Sequence, residues 1–166
     1  MTTSRAIIGL SLLGFADALY MLAYHEGWID RMWCPFFGDG CEIVGRSPES
    51  AHAGVPNAAV GAAAYAGMAA LAALDVHARD TRPADRARED GVAALPALGL
   101  AGAATAAVAA SAVLTWKMGT RVRAWCFWCV LSAGINTAIC ALAWRQVPDA
   151  VREGGAGRTR EEAVTR

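Results

Sequence analysis

Charged residues are almost absent from four stretches of the chain, at about 6–24, 54–74, 92–116 and 124–144, and only Asp17 interrupts the first. Each stretch is close to the ~20 apolar residues that a helix needs to cross ~30 Å of hydrocarbon. A soluble helix would carry polar residues along one face at helical spacing, and none of the four shows such a face. The pattern predicts an all-α, four-helix integral membrane bundle with a long outer loop between helices 1 and 2. The second and third windows are rich in alanine and glycine, among them Gly99, Gly102, Ala103, Ala106 and Ala110. Such segments gain little from lipid alone, but their small side chains let helix backbones approach closely.

The four windows lie within residues 1–147, which read as one domain, and a glycine- and charge-rich tail at 148–166 reads as disordered. Fifteen basic and fifteen acidic residues cancel, so no basic surface is available for nucleic acid. The arginines are unevenly placed. Arg5, the middle loop (Arg79, Arg82, Arg86, Arg88) and the tail (Arg145, Arg152, Arg158, Arg160, Arg166) share one side, against Arg31, Arg46, Lys117, Arg121 and Arg123. The richer side is expected in the cytoplasm with both termini, in a multi-pass protein of the inner (plasma) membrane. A second reading of the N-terminus, a signal peptide cut near Ala16-Asp17-Ala18, is opposed by apolar character that continues through Leu22. Asp17 then lies within the membrane, where a carboxyl group bonds a neighbouring helix or relays protons.

Against this background the cysteines stand out. Cys34 and Cys41 follow the first window, and Cys126 and Cys129 open the fourth. Two crossings separate the pairs, so both emerge at one membrane surface, expected to be the extracytoplasmic one, where disulfides persist. Cys126-Phe127-Trp128-Cys129 falls at a helix start, where free N–H groups and the dipole favour a thiolate. Zinc binding with His25 and His52 is a rival use, although the gap between Cys34 and Cys41 exceeds the usual 2–4-residue ligand spacing. A purely structural disulfide framework is another, but a short CxxC loop suits labile exchange better. Cys140, deep in the last window, reads as a small buried apolar side chain.

Further residues extend the pattern: Ser47 six positions after Cys41, then Gly54-Val55-Pro56-Asn57, Gly61 and Tyr65, then the CxxC. In this order the chain, from about Ile7 to Trp144, resembles the bacterial branch of the vitamin K epoxide reductase family. The similar DsbB family carries its CxxC in the first outer loop, the reverse of the order here. The resemblance implies an enzyme that oxidises a thioredoxin-like partner and reduces a membrane quinone, ubiquinone or menaquinone, in support of disulfide formation. It implies that Cys34 meets the partner, Cys41 shuttles electrons to Cys126, and Cys129 faces the quinone. Ser47 also reads as an N-cap before Pro48, and Asn57 either caps the second membrane helix or donates to a quinone carbonyl. Trp33, Trp116, Trp125, Trp128 and Tyr24 suit an aromatic belt at the interface, and Trp128 is a candidate wall of the quinone pocket.

The chain departs from the family's animal members at Ala133, where those that reduce the epoxide carry a tyrosine. Quinone reduction is therefore the activity the resemblance implies. Many bacterial members fuse a thioredoxin-like domain behind the last helix; here only Pro148–Arg166 follows, which implies a separate redox partner.

Overall fold

The computed structural model describes residues 2–81 and 94–164, with side chains described for 3–77 and 95–151. Arg82, Arg86 and Arg88, on which the orientation partly rests, lie outside the described residues, as does Arg166. Helix α1 runs Thr2–His25, unbroken across the alternative cleavage point. A short α2 (Gly40–Gly45) and a 3₁₀ turn (Pro48–Ser50) follow in the outer loop. The chain then makes a two-residue hairpin, β1 (Ala51–His52) against β2 (Val55–Pro56), turned through Ala53 and Gly54 at positive φ. Long helices α3 (Asn57–Thr81), α4 (Ala94–Lys117) and α5 (Phe127–Val164) complete the fold. A π turn, Met118–Val122, extends α4 before Arg123 enters the left-handed region and redirects the chain.

Four segments are long and apolar enough to cross a membrane: Thr3–His25, Asn57–His77, Leu95–Val122 and Phe127–Val151. The all-α membrane bundle expected from the charge-free windows is thus the fold found. The tiny hairpin was not expected, since its strands are too short to leave a sequence pattern. Helix α5 does not stop at Pro148, where the composition sets the start of the tail; its backbone is helical to Val164.

Helix α1 packs along α3 and α4 along α5, and the contacts α1 to α5 and α3 to α4 close a four-membered ring. The buried stripe of α3 is Ala62, Tyr65, Met68, Ala72 and Asp75, and that of α4 is Ala97, Leu100, Ala101 and Ala104. Both follow helical spacing, and alanine supplies most of α4's contact face, as close helix approach requires. Gly14 of α1 serves the same purpose, because a Cβ there would overlap the ring of Tyr65. Leu12, Leu13, Leu74, Leu98, Val113 and Trp144 are instead exposed on the outside. Large apolar side chains around the outside and small ones within fit a lipid solvent, where burial gains nothing over exposure to acyl chains.

Polar groups inside the bundle are tied between helices. At the end where α1 begins, Ser4 Oγ donates to Asp75 Oδ2 (2.9 Å), and Gln146 Nε2 donates to Ser4 Oγ (3.0 Å). Three helices are thereby fastened at the end opposite the cysteines.

Candidate functional site

The outer loop is held over the bundle by specific contacts. Trp33 N donates to Tyr20 Oη (3.0 Å), Met32 N to Glu42 Oε1 (3.3 Å), and Arg46 Nε to Tyr24 Oη (2.7 Å). Glu49 pairs with Lys117 Nζ (2.6 Å) and Arg121 Nη1 (3.3 Å) at the end of α4. The hydrogen bond from Lys117 holds the Glu49 carboxyl below its ordinary range. Asn57 Nδ2 donates to the carbonyl of Glu49 (2.7 Å), so the start of α3 is fastened to the same turn.

Within this frame Cys34 and Cys41 are joined as a disulfide, with Cα atoms 5.7 Å apart. Cys34 is partly exposed on the loop, while Cys41, in the first turn of α2, is 0% exposed. Cys126 is likewise 0% exposed and belongs to the same buried cluster, with Tyr24, Met32, Val44 and Met118. Both cysteine pairs therefore occupy one end of the bundle, as the crossing count requires. Gly40 fixes the contact, since it lies so close to the carbonyl oxygen of Trp125 that a Cβ would collide with it.

Cys126 immediately precedes the first residue of α5. Its carbonyl accepts the helical bond from Val130 N (3.1 Å), and its Sγ accepts from Cys129 N (3.4 Å), the arrangement of an N-cap. Hydrogen bonds from the Cys129 thiol and then from the helix-start amides outweigh burial and push the Cys126 thiol below its ordinary value. The helix start thus favours the thiolate at the first cysteine of the CxxC. Cys126 and Cys129 are both reduced in this structure. Among the described residues, no three His, Cys, Asp or Glu side chains converge in a group suited to a metal ion.

Cys129 packs against the edge of this cluster and also lines a cavity of about 680 Å³ between α1, α3, α4, α5 and the loop. The walls are mainly alanine and other apolar side chains, including Ala103, Ala106, Ala107, Ala110, Leu114, Met21 and Val60. A few polar groups punctuate them: Ser47, Asn57, Tyr65, Ser111, Ser132 and Asn136. Size and lining suit a flat apolar ring with a hydrocarbon tail, held by few hydrogen bonds. Tyr65 Oη donates to Ser132 O (3.2 Å) and lies 3.3 Å from Ser132 Oγ, which donates to Asp17 Oδ2 (2.5 Å). Asn136 Nδ2 donates to Ser111 Oγ (2.9 Å), joining α5 to α4.

The profile of the Vitamin K epoxide reductase family matches residues 5–144, most of the chain. The chain belongs to that family. Membership places it among membrane oxidoreductases that couple disulfide chemistry to quinones. No individual curated protein matches closely enough to be named as a relative.

Most of the residues singled out in the sequence meet here, but not all in the expected way. Ser47 occupies the N-cap position before Pro48, yet its hydroxyl donates backwards to Val44 O (2.7 Å) and makes no cap bond. The last carbonyls of α2 have no helical partner, and Ser47 satisfies one. Trp128 does not line the cavity. Its indole Nε1 donates to Trp33 O (2.7 Å) and its ring meets Tyr20 edge-on, so this family member uses it to hold the segment beside Cys34. Asp17 bonds a neighbouring helix, as its simpler reading required. Sequence reasoning gave no role to Ser132 and Asn136. Their spacing was the available signal: Cys129, Ser132 and Asn136 fall at i, i+3 and i+7, one polar stripe on an apolar helix.

Proposed function

We propose that this protein oxidises the dithiol of a separate thioredoxin-fold protein and passes the two electrons through its own two cysteine pairs to a membrane quinone, ubiquinone or menaquinone. The observation that carries the reading is the burial of Cys41 and Cys126 in one cluster, their chain neighbours Gly40 and Trp125 in contact, with Cys34 partly exposed and Cys129 at the cavity wall. The order of access matches the order of electron transfer. A partner's thiolate attacks Cys34 and Cys41 leaves; the partner's second thiol then displaces Cys34 and departs with its own disulfide. The Cys41 thiolate attacks Cys126 of the oxidised CxxC, Cys129 leaves as a thiolate, and Cys34 resolves the Cys41–Cys126 mixed disulfide. Reduction of the outer pair is thereby converted into reduction of the CxxC.

A dithiol and a hydroquinone each carry two electrons and two protons, so the overall exchange balances without another redox group. Asn57 and Ser47, at the cavity wall, are placed to contact the ring or its substituents, although both already serve backbone carbonyls of the loop. The assignment to the plasma membrane, with the cysteine end outside and both termini in the cytoplasm, rests on the arginine bias. Residues 1–147 form the working unit, and nothing in the tail from Pro148 carries thiol chemistry.

Purified protein mixed anaerobically with a reduced thioredoxin-fold substrate should form disulfides only when quinone is supplied, consuming one quinone per disulfide. Many turnovers in the strict absence of quinone and oxygen would refute the reading.

A further inference from the structure

Among the described residues, Asp17 is the one buried carboxyl on the cysteine half of the bundle, and the thiol relay does not use it. It is 5% exposed, and only one of its oxygens is bonded: Oδ2 lies 2.5 Å from Ser132 Oγ, while Oδ1 is buried without a hydrogen-bond partner. A carboxyl held this way is costly within the membrane and calls for a functional explanation. Its position supplies one. Asp17 stands behind the cavity wall, with its neighbours Ala18 and Met21 in that wall, and Ser132 is both its partner and a lining residue. Ser132 also lies one helical turn beyond Cys129 on the same face of α5.

We propose that Asp17 and Ser132 form a proton relay between the CxxC thiols and the molecule reduced in the cavity. The proposal rests on the quinone reading given above. When the dithiol reduces a quinone, two S–H bonds are lost and one sulfur–sulfur bond forms between Cys126 and Cys129. Two C=O groups become two C–OH groups, so two electrons and two protons leave the sulfurs and arrive at the ring. The electrons move where sulfur and ring meet, but the protons must travel to oxygens on a ring enclosed by apolar walls. Ser132 gives its hydroxyl proton to a ring oxygen while taking one from Asp17 across the 2.5 Å contact. A thiol proton then returns to Asp17 by the same hydroxyl. The carboxyl ends the cycle as it began, and the same path delivers the second proton. Tyr65, bonded to Ser132, holds that hydroxyl in line and is a positioning residue.

The alternative is a plain helix-to-helix hydrogen bond, and Asp17→Asn separates the two because an amide keeps the bond but cannot carry the proton. Three measurements decide it. In full-length protein with the outer pair reduced and the CxxC oxidised, without quinone, transfer of electrons from the outer pair to the CxxC should be unchanged in Asp17→Asn, which reports that the fold and thiol contacts survive. Single-turnover reduction of a soluble short-chain quinone should fall about 100-fold, in the range that proton transfer by a positioned group contributes. The infrared difference between reduced and oxidised CxxC in the wild-type protein should contain a carboxylic-acid C=O band that is missing in Asp17→Asn. Ser132→Ala should slow quinone reduction by a similar factor, and the double variant no further, since both act on one path.

Wild-type quinone reduction in Asp17→Asn, or loss of the quinone-free exchange along with it, overturns the relay. Failure of the wild-type protein itself to reduce any quinone overturns instead the underlying functional reading.

Discussion

Gly40 lies against the carbonyl oxygen of Trp125, at a distance that leaves no room for a Cβ. Each is the chain neighbour of a buried cysteine, Gly40 of Cys41 and Trp125 of Cys126, so this backbone contact sets how closely the two redox pairs approach. Gly40→Ala should push α2 away from the start of α5 and slow exchange between the pairs at least tenfold. Its stability cost should be about 1–3 kcal/mol, as for other overpacked sites. Stopped-flow exchange and thermal unfolding would check the two effects, and normal exchange in a stable Gly40→Ala protein would contradict the role.

Removing the Cys129 thiol should raise the Cys126 pKa, because that thiol is the largest cause of its depression. The thiolate of wild-type Cys126 therefore persists to lower pH than that of Cys129→Ala. Thiolate ultraviolet absorbance, titrated in a Cys34→Ser, Cys41→Ser, Cys140→Ser background, should show the midpoint moving upward in the Cys129→Ala variant.

Glu49 ties the loop to Lys117 and Arg121 at the end of α4. Its folded carboxyl titrates below the ordinary glutamate value of 4.5. Whatever stability the pairing contributes is present above the unfolded pKa and is lost as pH falls through the lower, folded one. Hydrogen exchange in the turn from Pro48 to Pro56 should therefore quicken only in that acidic window, and in Glu49→Gln it should be quick and flat across it. High salt should weaken the tether as well.

Trp128→Phe removes the indole donor to Trp33 O. The expected loss is about 1 kcal/mol of stability, with slower reaction of Cys34 toward its partner and an unchanged KM for quinone. A raised quinone KM would return Trp128 to the cavity wall.

Sequence and structure agree where composition alone decides. Charge-free windows locate the spans, counting crossings brings Cys34, Cys41, Cys126 and Cys129 to one end, and Pro56 places the start of α3 at Asn57. The rotation of each helix about its own axis is less legible. In alanine-rich windows facing lipid, no polar face marks the outside, and packing decides which side turns inward. Tyr65 reaches Ser132, which in turn bonds Asp17, only because Gly14 admits its ring. Trp128 turned to the loop for the same kind of reason: an indole N–H needs an acceptor, and Trp33 O is in reach. The Ser4, Asp75 and Gln146 cluster joins residues up to 142 positions apart, a separation that no local pattern can reveal.

The orientation can be tested through the middle loop. A reporter active only in the cytoplasm, fused after Ala84, should be active, with the cysteine end then outside; a reporter active only outside should be silent there. The reverse pattern would place the cysteine pairs in the cytoplasm and contradict the proposed topology.

The central claim is that Cys41 and Cys126 exchange within the buried cluster they share. In a Cys34→Ser, Cys129→Ser variant both resolving thiols are gone, and Cys140→Ser can be added because it should leave activity unchanged. Mass spectrometry of the oxidised protein, digested without reductant, should then find a Cys41–Cys126 disulfide in most molecules. Recovery of Cys41 and Cys126 as free thiols, or bridged only to external thiols, would contradict the account.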